Sequence, residues 1–500
     1  MIIKTDPQLI QSYLEDESGL RGGFSTKIFI PEDEYEAAEI LRDCAARGIP
    51  LTVSGGGTGV TGGRVPFGGA VLSVERLNKL GAIRELKDGG AVITAGAGVS
   101  VKDIKDAARA AGFTYAPDPT ETSSFIGGNI STNASGSRGL KFGPTRNYVE
   151  RLKLVFTSGE TLEVRRGEVF ADRKGVLELP FKAGPLALEL PSYKLPSIKN
   201  AAGYYNRAGM DLIDLFIGQE GTLALITEAD LRLTPRIGKV LSGIAFFPEE
   251  SKSWEFVFDI KRVSAESGKL NVQGGIDAMS LEYFDSGALE LLRQDYGDIP
   301  SSARAAIFFE QAVDGDTADR AIDAWARAFE KHGVSFDSVW FGTTEREEKL
   351  FREFRHRLPE KVNEIVRRNK FPKTGTDLAV PDTNFLEMIK YYEEELRRSG
   401  IRYLVFGHIG ESHIHANLLP DNERDYAGSR NTYLKLATKA VSLGGTVSAE
   451  HGIGKLKHLF LEKMLGPGGV SELASLKKSL DPSLILGQNN IFPKDTHGLR

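Results

Sequence analysis

One glycine-dense segment constrains this chain more than any other stretch. Residues 53–63 read Val-Ser-Gly-Gly-Gly-Thr-Gly-Val-Thr-Gly-Gly, with six glycines and three hydroxyl residues in eleven positions. Glycine permits positive φ and lets the backbone approach a ligand closely. Successive backbone N–H groups that point inward bind phosphate oxygens. We therefore predict a diphosphate-binding loop here, and an ordinary surface turn is the alternative.

The flanking sequence excludes two common kinds of phosphate site. A short predicted strand, residues 50–53, leads into the glycine loop, and residues 64–66 close it. No Gly-Lys-Ser/Thr follows the loop, so it is not a P-loop. The spacing also lacks the GxGxxG pattern that enters a helix in a Rossmann unit.

Length, composition and charge restrict the class of protein. The 500 residues exceed one hydrophobic core, so two or three domains are expected, and 41% hydrophobic with 26% charged residues is typical of a globular chain. A net charge of −5 argues against a nucleic-acid surface. The single cysteine, Cys44, excludes a disulfide framework and fits a reducing compartment.

The expected location is cytoplasmic. The first residues contain no apolar signal-peptide core. No apolar run approaches the roughly 20 residues that span a bilayer. Attachment at the inner face of a membrane stays open.

The first part of the chain alternates strands and helices. Strands are predicted at 28–31, 70–74 and 91–95, and helices at 32–47 and 101–111. This order predicts a nucleotide-binding domain of the α/β or α+β class.

Two further segments have the composition of a cofactor site. Residues 116–136 contain a Pro-Asp-Pro turn, Gly127-Gly128 and a run of small and hydroxyl residues. Small side chains let a flat ring lie against the backbone, and Ser, Thr and Asn can bind its polar edge. A long loop without a ligand is the alternative. Glu220-Gly-Thr222 forms a tight turn into an apolar strand.

In this order and spacing, the motifs resemble the FAD-binding half of the vanillyl-alcohol-oxidase superfamily, the PCMH-type domain, over about residues 20–236. The resemblance implies that the FAD diphosphate lies on the glycine loop. No histidine precedes residue 237, so histidyl attachment within this half is excluded and FAD is expected to be non-covalent. The FAD-binding residues that the resemblance implies are Ser54, Gly55, Gly56, Gly57, Thr58, Gly59, Thr61, Gly62, Pro117, Asp118, Thr122, Ser123, Gly127, Asn129, Thr132, Ala134, Ser135, Glu220, Gly221 and Ile226.

The pattern changes after residue 240. Predicted strands at 241–247 and 305–310 alternate with a helix at 253–264, which indicates a second α+β layer with an antiparallel sheet. Residues 344–368 form a highly charged helical stretch, and most of its charges are expected to face solvent.

A histidine cluster marks the second half. Residues 406–417 hold three of the eight histidines of the chain. His413 and His415 are two residues apart and would share one face of a strand. Gly410 lets the chain bend between them and His408.

A carboxylate lies next to a histidine in a second glycine-rich turn. Glu450 and His451 occur within residues 447–455. Histidines together with a carboxylate suit Zn²⁺ or another divalent transition metal. A buried histidine network held by hydrogen bonds is the alternative.

These residues resemble the C-terminal half of the FAD-dependent D-2-hydroxyacid dehydrogenases, which include the D-lactate, glycolate and D-2-hydroxyglutarate enzymes. The resemblance implies that His408, His415 and Glu450 hold the metal and that His451 is the base. It also implies that Asn417 orients the substrate oxygens.

The resemblance also concerns substrate binding and the end of the domain, and it fails at one position. Arg355 and Lys373 are the expected carboxylate anchors, because guanidinium binds a carboxylate bidentately and ammonium adds a point charge. His413 departs from the pattern, since relatives usually carry asparagine there. Residues 489–493 resemble the family's closing turn.

The expected protein is therefore an α+β flavoenzyme. We predict a PCMH-type FAD-binding domain over 1–236, a substrate or cap domain with an antiparallel sheet over 237–430, and a helical segment over 431–500 that returns to the FAD domain. The expected reaction is metal-assisted oxidation of a D-2-hydroxy acid to its 2-oxo acid, with hydride transfer to flavin. The expected partners are that acid and an electron acceptor such as a quinone, a cytochrome or an electron-transfer protein, with no nucleic acid. A homodimer stays open.

Three alternatives are retained. The segment 117–123 also resembles alkylglycerone-phosphate synthase, a flavoenzyme without net oxidation. A metal-dependent hydrolase could use His408, His415 and Glu450 on bound water. A non-enzymatic flavoprotein would hold FAD but would not be reduced by any hydroxy acid.

Overall fold

The computed structural model describes residues 1–270, 272, 274–315, 317–335 and 338–496. Within these ranges, no helix has the length and apolar character that a membrane crossing requires.

The chain folds into two compact units, each built from discontinuous segments. The first unit consists of Met1–Ser135, Pro144–Arg236 and the residues from Val447 onward. The second unit consists of Gly136–Gly143 and Ile237–Thr446. The functional domains expected at 1–236, 237–430 and 431–500 stay a prediction, because compactness does not test which ligand a segment binds.

The described strands follow in chain order. They are β1 (Ile2–Lys4), β2 (Lys27–Ile30), β3 (Leu51–Ser54), β4 (Ala70–Ser73), β5 (Leu80–Glu85), β6 (Ala91–Gly96), β7 (Phe113–Thr114), β8 (Val149–Val155), β9 (Thr161–Arg165), β10 (Val176–Leu179), β11 (Leu186–Glu189), β12 (Leu225–Pro235), β13 (Lys239–Phe247), β14 (Ala278–Phe284), β15 (Ala305–Val313), β16 (Trp340–Gly342), β17 (Thr374–Gly375), β18 (Leu378–Ala379), β19 (Tyr403–Gly407) and β20 (His413–Leu418).

The described α-helices follow in the same way. They are α1 (Pro7–Ile10), α2 (Glu34–Ala46), α3 (Val101–Ala110), α4 (Ile126–Thr132), α5 (Gly139–Phe142), α6 (Leu212–Leu215), α7 (Glu250–Leu270), α8 (Ser286–Leu292), α9 (Ala318–Lys331), α10 (Glu345–Asn369), α11 (Phe385–Ser399), α12 (Glu423–Ser442) and α13 (His458–Leu480). Gly466 interrupts α13 with a φ of 71° and a ψ of 166°.

The first unit contains two main sheets. A four-stranded sheet has the order β1-β2-β4-β3, in which β4 is parallel to both of its neighbours. An antiparallel sheet has the order β5-β6-β12-β8-β9, and β7 pairs with β12. The glycine loop leaves the carboxyl end of β3. Ligands of parallel sheets are commonly bound at that end.

Helix α2 covers the four-stranded sheet because its sequence has one apolar face. Asp33 caps its first turn by accepting a hydrogen bond from the Glu36 N–H. Ile40, Leu41 and Cys44 are buried and share a core with strands β3 and β4. Burial of the Cys44 thiol raises its pKa to about 11, so this cysteine is an inert core residue.

The end of the chain belongs to the core of the first unit. The Leu51 N–H donates to the Ile485 carbonyl at 2.7 Å, and the Gly487 N–H donates to the Leu51 carbonyl at 2.9 Å. Lys477 is buried in α13 and donates to the Thr222 carbonyl at 2.8 Å. These bonds fasten the last segment to β3 and to the turn that precedes β12.

The second unit is built on an antiparallel sheet of order β16-β13-β15-β14-β19-β20-β17, with β18 paired to β20. Helix α10 begins at a capping box formed by Thr344 and Glu347. Phe351, Phe354 and Leu358 recur on one face of α10 and pack in the core beside strands β13 to β15.

The structure confirms most predicted elements and corrects one. The predicted strands at 241–247 and 305–310 lie within β13 and β15, and the predicted helix at 253–264 lies within the longer α7. Within 116–136, the structure has the helix α4 rather than only a turn and loop. Not all charges of α10 face solvent, because Arg352 Nε lies 3.1 Å from the buried Glu310 carboxylate.

The close packing of β13 gives a test of this sheet. A Cβ added at Gly243 would lie 2.3 Å from the Trp340 carbonyl oxygen and 2.8 Å from the Phe309 ring. We expect Gly243→Ala to lower the stability of the second unit by about 1–3 kcal/mol through overpacking. The three tryptophans, Trp254, Trp325 and Trp340, belong to this unit, so tryptophan fluorescence during urea unfolding reports on it.

Gly297→Ala is the matched control for this test. A Cβ at Gly297 meets no atom within 4 Å, so its unfolding midpoint should match the wild type. Equal midpoints for Gly243→Ala and the control would contradict the described packing of β13.

Candidate functional site

The backbone of the glycine loop has the donors that a phosphate site needs. From Gly56 to Gly63, no backbone N–H donates a hydrogen bond to any residue that the structure describes. Two of these residues, Thr61 and Gly62, are buried. Because buried backbone N–H groups are almost always paired, this loop is suited to an anionic ligand.

The loop lies against the second glycine motif. A Cβ on Gly55 would be 3.9 Å from the Gly128 Cα atom, and a Cβ on Gly56 would be 3.5 Å from the Ser123 carbonyl oxygen. A Cβ on Gly127 would lie only 2.7 Å from the Ala97 Cβ, whereas one on Gly128 would meet no atom within 4 Å. Gly127 therefore serves packing, and Gly128 keeps a face of α4 open.

The Glu220-Gly-Thr222 turn anchors the turn that carries His451. The Glu220 carboxylate accepts hydrogen bonds from the N–H groups of Ile453 and Gly454 at 2.7 and 2.6 Å. Burial raises the pKa of Glu220 to about 7, although these two bonds favour its charged form. The Thr61 carbonyl oxygen of the glycine loop accepts a hydrogen bond from the Lys455 N–H at 2.9 Å.

Two further side chains fasten this turn to the loop. Lys455 Nζ donates to the carbonyls of Gly62 and Gly63 and to Asn490 Oδ1, at 3.2, 3.0 and 2.6 Å. Asn490 Nδ2 donates to the carbonyls of Gly63 and Glu220 at 2.9 and 3.0 Å. Burial lowers the pKa of Lys455 to about 8. The glycine loop, the Glu220 turn and the His451 turn therefore form one connected structure.

The other residues predicted to bind FAD are distributed around this structure. All of them lie in the first unit. Ser54 ends β3, whereas Pro117, Asp118, Thr122 and Ser123 lie between β7 and α4. Helix α4 contains Gly127, Asn129 and Thr132 and is followed by Ala134 and Ser135; Gly221 precedes β12, and Ile226 lies in it.

Several of these side chains have local partners. The Asn129 amide donates to Ser124 Oγ at 2.9 Å, and the Thr132 hydroxyl donates to the Gly128 carbonyl at 3.0 Å. The Ser135 hydroxyl oxygen is buried and has no hydrogen-bond partner among the described residues. That buried oxygen and the unpaired loop N–H groups fit a polar cofactor such as FAD.

Lys199 is a neighbour of Glu450 that the sequence analysis missed. Its Nζ atom lies 2.9 Å from Glu450 Oε2, and the two side chains are only 5% and 12% exposed. His451 follows, with its Nε2 atom 3.7 Å from Glu450 Oε1, and its side chain is partly exposed. Lys199 lies in a stretch rich in Pro and Lys, and nothing in the sequence distinguishes it from its exposed neighbours.

The three histidines of the cluster meet within the second unit. One potential ligand atom from each of His408, His413 and His415 lies within 4.8 Å of the others. The hairpin of β19 and β20 causes this, because His408 directly follows β19 and Phe406 pairs with His415 across the hairpin. Gly407 has a φ of 132°, and a Cβ there would lie 2.8 Å from the His415 ring.

Each histidine ring has an oxygen atom close to one of its nitrogens. His408 Nδ1 lies 2.6 Å from Glu282 Oε1, and His415 Nδ1 lies 2.7 Å from the Thr376 carbonyl oxygen. His413 Nε2 lies 3.1 Å from Asp377 Oδ1. Such acceptors orient metal-binding imidazoles in known sites.

These oxygen atoms were not predicted from the sequence, although the position of one of them, in Glu282, is unusual. Glu282 is a carboxylate in the middle of the apolar strand β14, which is an unusual place for a charge. Asp377 and the Thr376 carbonyl gave no comparable signal, because both lie in a polar turn.

The substrate-binding candidates also lie in the second unit. Arg355 Nε donates to Glu282 Oε2 at 3.0 Å, so Arg355 and His408 share one carboxylate. Burial alone would raise the pKa of Glu282, but Arg355 and His408 outweigh it and lower this pKa to about 2. Asn417 is buried on the same face of β20 as His413 and His415. Lys373 is exposed, directly before β17.

Comparison with known proteins decides the family. Residues 26–165 match the family described as "FAD binding domain", and residues 263–491 match "FAD linked oxidases, C-terminal domain". The chain is 30% identical to glycolate oxidase subunit GlcD of Bacillus subtilis over 474 residues, which cover 94% of this chain and 89% of that protein. The chain belongs to the FAD-linked oxidase family. It is therefore an FAD-dependent oxidoreductase.

Two other relatives and one solved structure extend the comparison. D-lactate dehydrogenase of Archaeoglobus fulgidus is 29% identical, over 93% of this chain and 90% of that protein. D-2-hydroxyglutarate dehydrogenase of Xanthomonas citri pv. viticola is 28% identical, over 99% and 94%. An alkyldihydroxyacetonephosphate synthase structure aligns with a TM-score of 0.66 at 15% identity, over 97% of this chain and 82% of that one.

These findings confirm the predicted fold class of this FAD-linked oxidase. The family matches fit a PCMH-type FAD-binding domain followed by an FAD-oxidase C-terminal domain. The likeness to the synthase concerns the fold alone, so it does not favour that enzyme's chemistry. The individual cofactor, metal and catalytic residues stay predictions.

Adjacent glycines in α4 give a test of the FAD site. Gly128→Ala should leave the fold intact but weaken FAD binding by at least about 10-fold, because its methyl group would enter the open space in which we expect the cofactor. Gly127→Ala should instead destabilise the first unit through contact with Ala97. Equilibrium dialysis measures FAD affinity, and circular dichroism checks the fold. Unchanged FAD affinity in Gly128→Ala would contradict this placement of the cofactor.

The Lys199–Glu450 pair gives a test of the buried charges. We expect Lys199→Met to destabilise the first unit by about 3–5 kcal/mol, because the Glu450 carboxylate would remain buried without this partner. The release of FAD on heating, followed by flavin fluorescence, measures the effect. Lys194→Met, at an exposed lysine, is the control, and Glu450→Gln combined with Lys199→Met should recover part of the loss. Equal behaviour of the two lysine variants would refute the importance of the pair.

Proposed function

We propose that this FAD-linked oxidase converts a D-2-hydroxy acid, of the lactate, glycolate or 2-hydroxyglutarate type, into the corresponding 2-oxo acid. The observation that carries the proposal is the near full-length similarity to a glycolate oxidase subunit, a D-lactate dehydrogenase and a D-2-hydroxyglutarate dehydrogenase. A flavin-free hydrolase is disfavoured, since the family match includes an FAD-binding domain.

FAD, when bound, takes up the hydride equivalent of the substrate, and a divalent metal, when bound, polarises the substrate hydroxyl. The N–H groups of the glycine loop would bind the FAD diphosphate. His408, His415 and Glu450 would hold the metal, which we expect to be Zn²⁺ because imidazole and carboxylate ligands suit it. The support is the short distance between the two histidine rings and the acceptor on each Nδ1 atom.

His451 is proposed to accept the proton of the substrate hydroxyl. Imidazole suits this role near neutral pH. The Glu220 carboxylate accepts a hydrogen bond from the Gly454 N–H, and Lys455 Nζ donates to the Gly63 carbonyl of the glycine loop. These bonds fix the turn that carries His451, which favours a constant position for this ring.

The remaining proposed roles concern the substrate's oxygens. Arg355 and Lys373 would bind the carboxylate, and Asn417 would orient the oxygens at the reacting carbon. The electrons would pass to a quinone, a cytochrome or an electron-transfer protein. Peripheral attachment to a membrane and a homodimer are compatible with this function.

Anaerobic reduction of the bound flavin tests the proposal. We expect D-2-hydroxy acids to bleach the flavin absorbance of the purified protein and L-enantiomers to leave it unchanged. His451→Asn should slow bleaching by about 10²–10⁴-fold while FAD stays bound, because proton removal by a positioned base contributes that much. His356→Asn, at an exposed histidine of α10, should behave as the wild type.

Two results would count against the proposal. Failure of every D-2-hydroxy acid to bleach an FAD-loaded protein would remove the proposed reaction. Normal bleaching by His451→Asn would keep the reaction but remove its proposed base.

A further inference from the structure

The histidine cluster contains one ring more than the proposed metal site uses. The centroid of the His413 ring lies 4.4 Å from that of His415 and 5.3 Å from that of His408. The two proposed ligands, His408 and His415, are 5.7 Å apart by the same measure. His413 is therefore as close to each of them as they are to one another.

An oxygen atom also lies close to one nitrogen of each ring, although the His413 contact lacks the geometry of a hydrogen bond. Glu282 faces His408, the Thr376 carbonyl faces His415, and the Asp377 carboxylate faces His413 Nε2 at 3.1 Å. With one nitrogen of each ring turned to an outer acceptor, the second nitrogen is the candidate donor to a metal. For His413 that atom is Nδ1, and for the other two rings it is Nε2.

Burial distinguishes this arrangement from a surface histidine patch. The side chains of His413 and Asp377 are fully buried. Burying the Asp377 carboxylate and the His408 and His413 imidazoles together is costly unless a cation or a network of hydrogen bonds compensates.

We propose that His413 is a third imidazole ligand, so that the β19–β20 hairpin carries a three-histidine site for a divalent transition metal. Asp377 is then the outer partner that orients His413, as Glu282 orients His408. All three ligands belong to the second unit, whose hairpin fixes their spacing. Three nitrogen donors favour Zn²⁺, Co²⁺ or Fe²⁺ over Mg²⁺ and Ca²⁺, which prefer oxygen ligands.

This inference deepens the proposed function and rests on it for the metal roles of His408 and His415. It does not depend on the oxidation of any substrate. Its test therefore measures metal binding in the resting protein.

Cobalt is a suitable probe, because its visible bands report the ligands directly. The full-length FAD-loaded protein is stripped with a chelator and titrated with Co²⁺, and bands are recorded at wavelengths longer than the flavin absorbance. His413→Asn should weaken Co²⁺ binding by at least about 100-fold, since loss of an outer partner alone costs about 10–100-fold. Its bands should also shift. His356→Asn is the matched control and should leave affinity and bands unchanged.

X-ray absorption on the Co²⁺-loaded wild type counts the imidazoles without any substitution. Three histidine ligands would support the proposal even if His413→Asn failed to fold. Two or fewer, unaltered cobalt affinity and bands in His413→Asn, or no cobalt binding at all would overturn it. If three imidazoles bind cobalt but no hydroxy acid reduces the flavin, the proposed function fails and the metal site stands.

Discussion

One buried carboxylate holds together the parts of the first unit on which its chemistry depends. Glu220 lies at a left-handed position, with a φ of 54°, directly before β12. From there its two oxygens reach the N–H groups of Ile453 and Gly454, which are more than 200 residues away in sequence. These bonds anchor the turn that carries Glu450 and His451 on the Glu220 turn.

This anchor buries two ionisable groups, which costs solvation free energy. Burial raises the pKa of Glu220 and lowers that of Lys455, which means that both groups would be better solvated in water. The protein retains them because each makes several hydrogen bonds that fix backbone segments. Asn490 closes the same network by donating to Gly63 and Glu220. Such buried polar networks are typical of sites in which backbone segments must be held in fixed positions.

The second unit also buries ionisable groups, but there they lie on the strands of its sheet. Its sheet buries carboxylates at positions that apolar residues would normally occupy. Glu282 is shared by Arg355 and His408, and Glu310 binds Arg138 with two bonds of 2.7 and 2.9 Å. Because each buried acid faces a cation or an imidazole, the sheet can carry polar side chains beside an aromatic core. The histidine hairpin therefore rests on a fixed polar framework.

The local sequence determined the elements and the type of chemistry. The apolar periodicity of α2 and α10 and the alternation in β20 follow from contacts between residues close in the chain, so they were predictable. The glycine loop and the three clustered histidines were also recognisable, because packing alone seldom produces such compositions. Helix α4 was missed, since two glycines and three polar residues in seven positions give little helical signal.

Only the tertiary structure decided which distant residues serve these motifs. Lys199 beside Glu450, Asp377 beside His413 and Glu282 beside His408 are pairs separated by 36 to 251 residues, and no local pattern marks them. These pairs matter because they are buried, since a charge that water would solvate at the surface needs a specific partner inside the fold. The sequence thus pointed to the candidate site residues, and folding decided which distant groups lie beside them.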